Sequence, residues 1–227
     1  MQRKLDGYKG PLCNSQIAIG MNAALKNAVR LAKDARLLLD AERFPSAVSL
    51  ATLSIEEAGK TSILRGMIFA KSEQDLKVEW RRYRSHTSKN LQWILPELAA
   101  AGARSLDDMR PLFDEGSDHP HLLDQLKQLG FYTDCLGGKA HWSIPEDVID
   151  SALARTLVKT AELLSSTSPV TEREIELWVE HLGPFWKKSD QQMKHALISW
   201  YRCMQEEGLK DVGPNKMEQF IHEGLTN

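Results

Sequence analysis

The feature that most constrains this chain is a helical period that hardly lapses from end to end. Ile17, Met21, Leu25, Ala28, Leu31 and Leu38 recur at helical spacing, which sets them on one face of an α-helix. Asn14 or Ser15 can cap this helix, which is expected to reach about Glu42. Pro45 then sits where a proline is welcome, in the first turn of a second helix running to about Ala70. The stripe of that helix reads Ala47, Leu50, Ser54, Glu57, Thr61, Leu64 and Ile68. "SEQD", Ser72 to Asp75, opens a third helix with acids in its first turn. Its core face is expected to be Trp80, Tyr83, Thr87, Leu91, Ile94 and Leu98, with Pro96 as a kink or an end.

Residues 103–144 are choppier. "SLDDMRPLF" and "HPHLLDQLKQLG" read as short helices, and "FYTDCLGGKAHWSIP" as an ordered loop or short extended segment. Pro145 starts another helix to about Ser165, "SSTSPVT" is a linker, and three more helices follow. Strand-like alternation is scarce. The expected fold is all-α, a helical bundle over residues 14–165 with a helical extension over 166–227 that packs on the same domain.

The chain has 227 residues, 42% hydrophobic and 26% charged, which suits a globular protein and argues against wholesale disorder. Its net charge of −2 announces no nucleic-acid binder, although a global balance can hide a local patch. Cys13, Cys135 and Cys203 are far apart and odd in number, so neither a disulfide framework nor a zinc knuckle is expected. The polar start lacks a signal-peptide pattern, and no uncharged apolar stretch approaches the ~18 residues of a spanning helix. A cytoplasmic location without membrane contact is the expectation.

The stretch "SIEEAGKTS", Ser54 to Ser62, imitates a phosphate-binding loop in its Gly59-Lys60-Thr61 ending. The first glycine of that motif is missing, two glutamates would face the phosphates, and the preceding residues have a helical rather than a strand pattern. These residues therefore belong inside the second helix. Glu56 and Lys60 are four apart, a favourable helical pair. Glu57 falls on the stripe with Leu50 and Leu64, where a carboxylate needs a partner unless its head reaches water. Both settings for Glu57 stand at this point. Gly59 then fits a close helix contact better than a phosphate turn.

A basic stretch supplies partners. Between Lys60 and Gln92 eight Lys/Arg face three acids, +5 in a chain of −2. On one continuous helix Arg82, His86, Lys89 and Asn90 would share a face. A solvated basic face is the ordinary reading of such a run. A histidine centred in it, with an acid on the preceding helix, also suits phosphodiester chemistry. Arginine and lysine stabilise charge on a phosphoryl group, histidine moves a proton near neutrality, and RNA carries its own nucleophile in the 2′-OH. "DHPH", Asp118 to His121, lacks the paired E-x-x-H motifs of a di-iron bundle, and no metal or cofactor is expected.

"SAVSLATLSIEEAGK" followed by "WRRYRSHTSKN", and the later "GFYTDCLGGKAHWSIPEDVI", resemble the AbiV family of abortive-infection proteins within the HEPN superfamily, over roughly residues 20 to 165. The resemblance implies an antiparallel HEPN-like bundle that forms a homodimer and defends a bacterium against phage. It also implies a metal-independent endoribonuclease motif, R-x(4–6)-H, which Arg81 and His86 satisfy. Helical phase sets Arg81 about 140° from His86 and brings Arg82 into line with it, so both arginines stand as candidates. The expected catalytic set is Arg81, His86 and Glu57. The expected RNA contacts are Lys60, Arg82, Lys89 and Asn90. Partners would be a second copy, RNA and a phage-encoded activator. The rival readings are a non-catalytic module that grips RNA or a phage protein and blocks translation, and a helical adaptor working through residues 171–225.

Overall fold

A computed structural model describes residues 6–114, 116–166 and 168–224. The first helix, α1 (Asn14–Asp40), is joined by three residues to α2 (Phe44–Met67). Leu39 meets Ala47 and Val48 in one cluster, and Ile17 meets Leu64 and Met67 in another, so the two helices run antiparallel. Alanines at 28, 32, 35, 47, 51 and 58 line the seam and let the backbones approach. The Ser54 hydroxyl crosses it, donating to the Ala28 carbonyl at 2.7 Å.

More than half of the 24 residues of α2 are buried. The reason is position: α1, α3 (Glu73–Arg84), α4 (His86–Lys89), α6 (His119–Phe131) and α8 (Ser151–Ser165) all pack on it. A helix enclosed in this way has no single apolar stripe, which is why the stripe through Leu50 and Glu57 describes it poorly. One core cluster joins α1, α2, Leu123 of α6 and Leu157, Val158 and Ala161 of α8. A second joins the opposite ends of α1 and α2 with Trp80 of α3 and Ile175. Each fully buried Leu, Ile or Val in these clusters contributes about 1.5–3 kcal/mol.

Beyond residue 166, Ile175 of α9 (Glu172–Leu182) enters the second cluster. Leu177, Trp178 and Leu182 pack on Trp200 and Met204 of α10 (Asp190–Glu206), with Ile68 and Phe69 alongside. A short α11 (Lys216–His222) lies against α10. The all-α expectation holds. The extended option for residues 131–145 is realised as a small antiparallel hairpin, β1 (Asp134–Leu136) with β2 (His141–Ser143), in register Cys135 to Trp142. Among the described residues no helix is long and apolar enough to cross a membrane, and all three cysteines are free.

Two helices expected to be continuous are broken. The third ends at Ser85, whose backbone is extended (φ −75°, ψ 133°) and whose hydroxyl accepts from the Ser88 amide at 3.3 Å, starting α4 afresh. After α4 the chain continues as a 3-10 turn (Leu91–Ile94) and a short α5 (Leu95–Ala100), not as the same rod. The helix expected from Pro145 likewise stops after α7 (Pro145–Val148); Asp150 then caps α8, accepting from the Leu153 amide at 2.8 Å. Both breaks are made by a short polar side chain taking the N-cap role in competition with the helix interior.

Candidate functional site

Two glycines allow α4 and α6 to close on α2. A Cβ at Gly59 would lie 2.0 Å from the Lys89 carbonyl oxygen, so α4 rests directly on the α2 backbone there. A Cβ at Gly130 would lie 2.5 Å from Ser49 Oγ and 2.7 Å from the Pro45 carbonyl, and α6 is seated the same way. Asn90, wholly buried, ties the two incoming helices by donating to the Pro120 carbonyl at 3.1 Å. His86 and Lys89 of α4 and Asp124 and Lys127 of α6 thereby converge on one residue of α2, Glu56.

Glu56 is the centre of the arrangement, with its side chain 3% exposed. Its Oε2 lies 2.7 Å from His86 Nδ1 and 3.3 Å from Lys89 Nζ, and its Oε1 accepts from Lys127 Nζ at 2.7 Å. A buried carboxylate without such partners would cost several kcal/mol, roughly the desolvation of an unpaired ion. Lys127, 5% exposed, also reaches Asp124 Oδ1 at 2.7 Å. That contact is poorly angled for a hydrogen bond and counts as an ion pair. Burial works against the charge on Lys127, but its contacts with Asp124 and Glu56 outweigh it and raise the pKa above the ordinary lysine value. Lys127 therefore stays an ammonium.

The contact with Glu56 also fixes the histidine. A carboxylate only accepts, so Nδ1 carries a proton and donates it to Glu56. The Lys127 ammonium, 3.2 Å from the same Nδ1, is then a second donor gathered on the same carboxylate. Nε2 is the nitrogen left with a lone pair in the neutral ring, and it has no hydrogen-bond partner among the described residues. The His86 side chain is 56% exposed. Its inner edge is thus anchored and its outer edge faces solvent. Glu56, His86 and Asp124 offer donor atoms within 4.8 Å of one another, the spacing of a metal triad. The Lys127 ammonium stands within 3.2 Å of an atom of each, so a bound cation would have to displace it.

The residues expected from sequence are placed differently. His86 and Lys89 are brought into the cluster, but Lys89 is buried against Glu56 and Asn90 is sealed beneath α4, so neither offers a surface for RNA. Glu57 and Lys60 pair with each other at 2.6 Å, one turn along α2, where Lys60 also lies over the Tyr83 ring. Glu57 does not contact His86; the preceding glutamate does. The correction follows from the enclosure of α2, which turns Glu56 toward α4 and α6 and leaves Glu57 toward α3. Arg82 donates to the buried Glu79 at 2.9 Å and is held on its own helix. The break at Ser85 removes the helical phase that would have aligned it with His86. Arg81 is exposed and has no ion pair among the described residues. His119 is committed elsewhere, with Nδ1 on Ser117 Oγ and Nε2 on the Leu91 carbonyl.

Glu56, Asp124 and Lys127 do not stand out in the sequence as site residues. Asp124 and Lys127 are an i, i+3 pair in an ordinary amphipathic helix, with no local signal. Glu56 has one, being adjacent to a glycine-bearing turn that a partner helix can approach.

No curated protein and no solved structure matches the chain. The sequence model of one family, AbiV of the HEPN group, matches residues 16–166. That span runs from the first turn of α1 through the end of α8 and contains the whole Glu56–His86–Lys127 cluster. The chain belongs to the AbiV family of HEPN proteins.

Proposed function

We propose that the protein is an abortive-infection endoribonuclease that needs no metal and works as a homodimer, with His86 as its acid–base group. The observation that carries this reading is the His86 ring, anchored at Nδ1 by a buried carboxylate and open at Nε2. In this mechanism Nε2 takes the proton of an RNA 2′-OH. The 2′-oxygen attacks the adjacent phosphorus, the bond to the 5′-oxygen breaks, and a 2′,3′-cyclic phosphate forms. Glu56 holds the ring in its tautomer and stabilises the imidazolium that results. Arg81, exposed and unpaired among the described residues, stabilises the charge at phosphorus. The equivalent histidine of a second copy, as imidazolium, gives its proton to the departing 5′-oxygen. One histidine performs one half of the proton transfer, and this is the reason for pairing two copies.

The test is wild-type protein, His86→Ala and Arg81→Ala with total bacterial RNA in the presence of EDTA, with cyclic-phosphate ends read on the products. Loss of a general acid–base group is expected to slow cleavage roughly 10²–10⁴-fold. Full cleavage by both variants would overturn the assignment.

A second reading, a non-catalytic HEPN module that holds RNA or a phage protein, has support in the same cluster. Lys89, Lys127 and Asn90 are buried and engaged, as in a network that only fixes α4 and α6 on α2. Wild-type protein that binds RNA without cutting it would select this reading.

A further inference from the structure

The cations assigned by sequence to RNA are spent inside the molecule, yet the opposite face of α3 carries a set with no carboxylate partner among the described residues. Trp80, Arg81 and Arg84 lie three, four and seven residues from Lys77 and share one face of the helix with it. Lys9 joins them from the segment before α1, and Ser85, the residue before His86, completes the lining of a groove of about 590 Å³. Lys9, Lys77, Arg81 and Arg84 are all exposed, and among the described residues no acidic side chain lines the groove. Among the described residues Lys9, Lys77 and Arg81 have no ion pair.

The groove is built rather than incidental. The segment from Asp6 to Leu12 has no regular structure, yet it is pinned across α3. The Trp80 indole donates to the Gly10 carbonyl at 3.0 Å, Tyr8 meets the Trp80 ring edge-on, and the Tyr8 hydroxyl donates to the Pro11 carbonyl at 2.9 Å. The Arg84 guanidinium donates to the Tyr8 carbonyl and lies 4.9 Å over the Trp80 ring. Basic residues in a last helical turn are common because they complement the helix dipole. That accounts for Arg81 and Arg84 but not for Lys77, a turn or more earlier, or for Lys9, which is on another segment.

We propose that this groove binds the phosphodiester backbone of single-stranded RNA and delivers it to His86. A row of cations without a carboxylate partner complements a polyanion, and the lining of the groove includes Ser85, the residue next to the exposed imidazole. Arg81 then lies on the path of the strand, while Arg82, tied to Glu79, does not. The proposal rests on the ribonuclease reading for its direction but is tested by binding alone.

The experiment uses the full chain carrying His86→Ala and a short fluorescent single-stranded RNA, with affinity followed against salt. Adding Lys9→Ala and Lys77→Ala is expected to weaken binding roughly tenfold near 0.1 M salt. It is also expected to reduce the slope of log affinity against log salt by about 1.4, near 0.7 for each phosphate no longer neutralised. The same charge change at Lys139 and Lys159, on the hairpin and α8, should leave affinity and slope as they were. Thermal unfolding should be unaltered, because the two groove lysines are exposed. Unchanged affinity and slope in the groove variant would overturn the proposal, and so would absence of RNA binding by the His86→Ala protein. Groove-dependent binding without any cleavage by the wild type would sustain the groove and defeat the ribonuclease reading, so the two fail separately.

Discussion

Replacing Gly59 by alanine isolates the contact on which the candidate site is assembled. The new methyl would begin 2.0 Å from the Lys89 carbonyl oxygen and 2.9 Å from its carbon. An ordinary carbon–oxygen contact is about 3.3 Å or more, so α4 must withdraw from α2 by roughly 1.3 Å. The obstacle is backbone, and no rotamer change relieves it. Overpacking of this kind costs about 1–3 kcal/mol, and the higher helix propensity of alanine returns about 1. With the obstacle fixed, the upper part of the range applies, and a net loss of about 1–2 kcal/mol is expected. Lys89 Nζ is already 3.3 Å from Glu56, so the withdrawal also weakens a buried ion pair. For a chain of this size the melting temperature should fall by roughly 2–8 °C. Gly20→Ala is the matched control: it lies in the interior of α1, and the nearest outside atom is a Leu64 methyl at 3.4 Å. That variant should be as stable as wild type or more so. Thermal and urea unfolding followed by circular dichroism measure both. A Gly59→Ala protein that melts at or above the wild-type temperature would refute the claim that α4 is seated on bare backbone.

Two further expectations are simpler. Glu56→Gln leaves two buried ammonium groups short of a charge and should destabilise the fold by about 3–5 kcal/mol, whereas Glu57→Gln breaks a more exposed pair and should cost less than about 1 kcal/mol; equal effects in urea titrations would mean that the two glutamates are wrongly distinguished. The Glu162 carboxyl is held below the ordinary glutamate range, chiefly by its hydrogen bonds from Arg36 and against the opposing effect of burial. Its contribution is therefore present above the ordinary glutamate pKa and fades as pH falls through the lowered native value. Because the pair is over a third exposed, Glu162→Gln should flatten the acid side of the stability curve by less than about 1 kcal/mol, and an unchanged acid limb would contradict that sign.

The helices and their class are legible in the sequence because apolar spacing reports directly on burial. The breaks at Ser85 and Asp150 are harder to read. Each follows from one short polar side chain that could cap a new helix or sit within an old one, and only the tertiary placement of the next segment decides. The site is half legible for the same reason. His86 stands out by its chemistry and its arginine-rich surroundings. The choice between Glu56 and Glu57 depends on how many neighbours α2 has, and one stripe cannot encode a helix enclosed on several sides. Lys127 is an ordinary lysine in α6 until Gly130 is seen to seat that helix on Pro45 and Ser49. The spacing of Lys77, Arg81 and Arg84 is present in the sequence, but none of the three is in helical phase with His86.

The strap from Asp6 to Leu12 has a consequence for how relatives of this chain are compared. It lies wholly before residue 16, where the shared family span begins, yet it supplies Lys9 and holds Arg84 in place. Two proteins could align from end to end of the common bundle and keep every residue of the Glu56 cluster while differing in this leader. A boundary drawn at the shared span would therefore leave out Lys9 and the backbone carbonyl that holds Arg84.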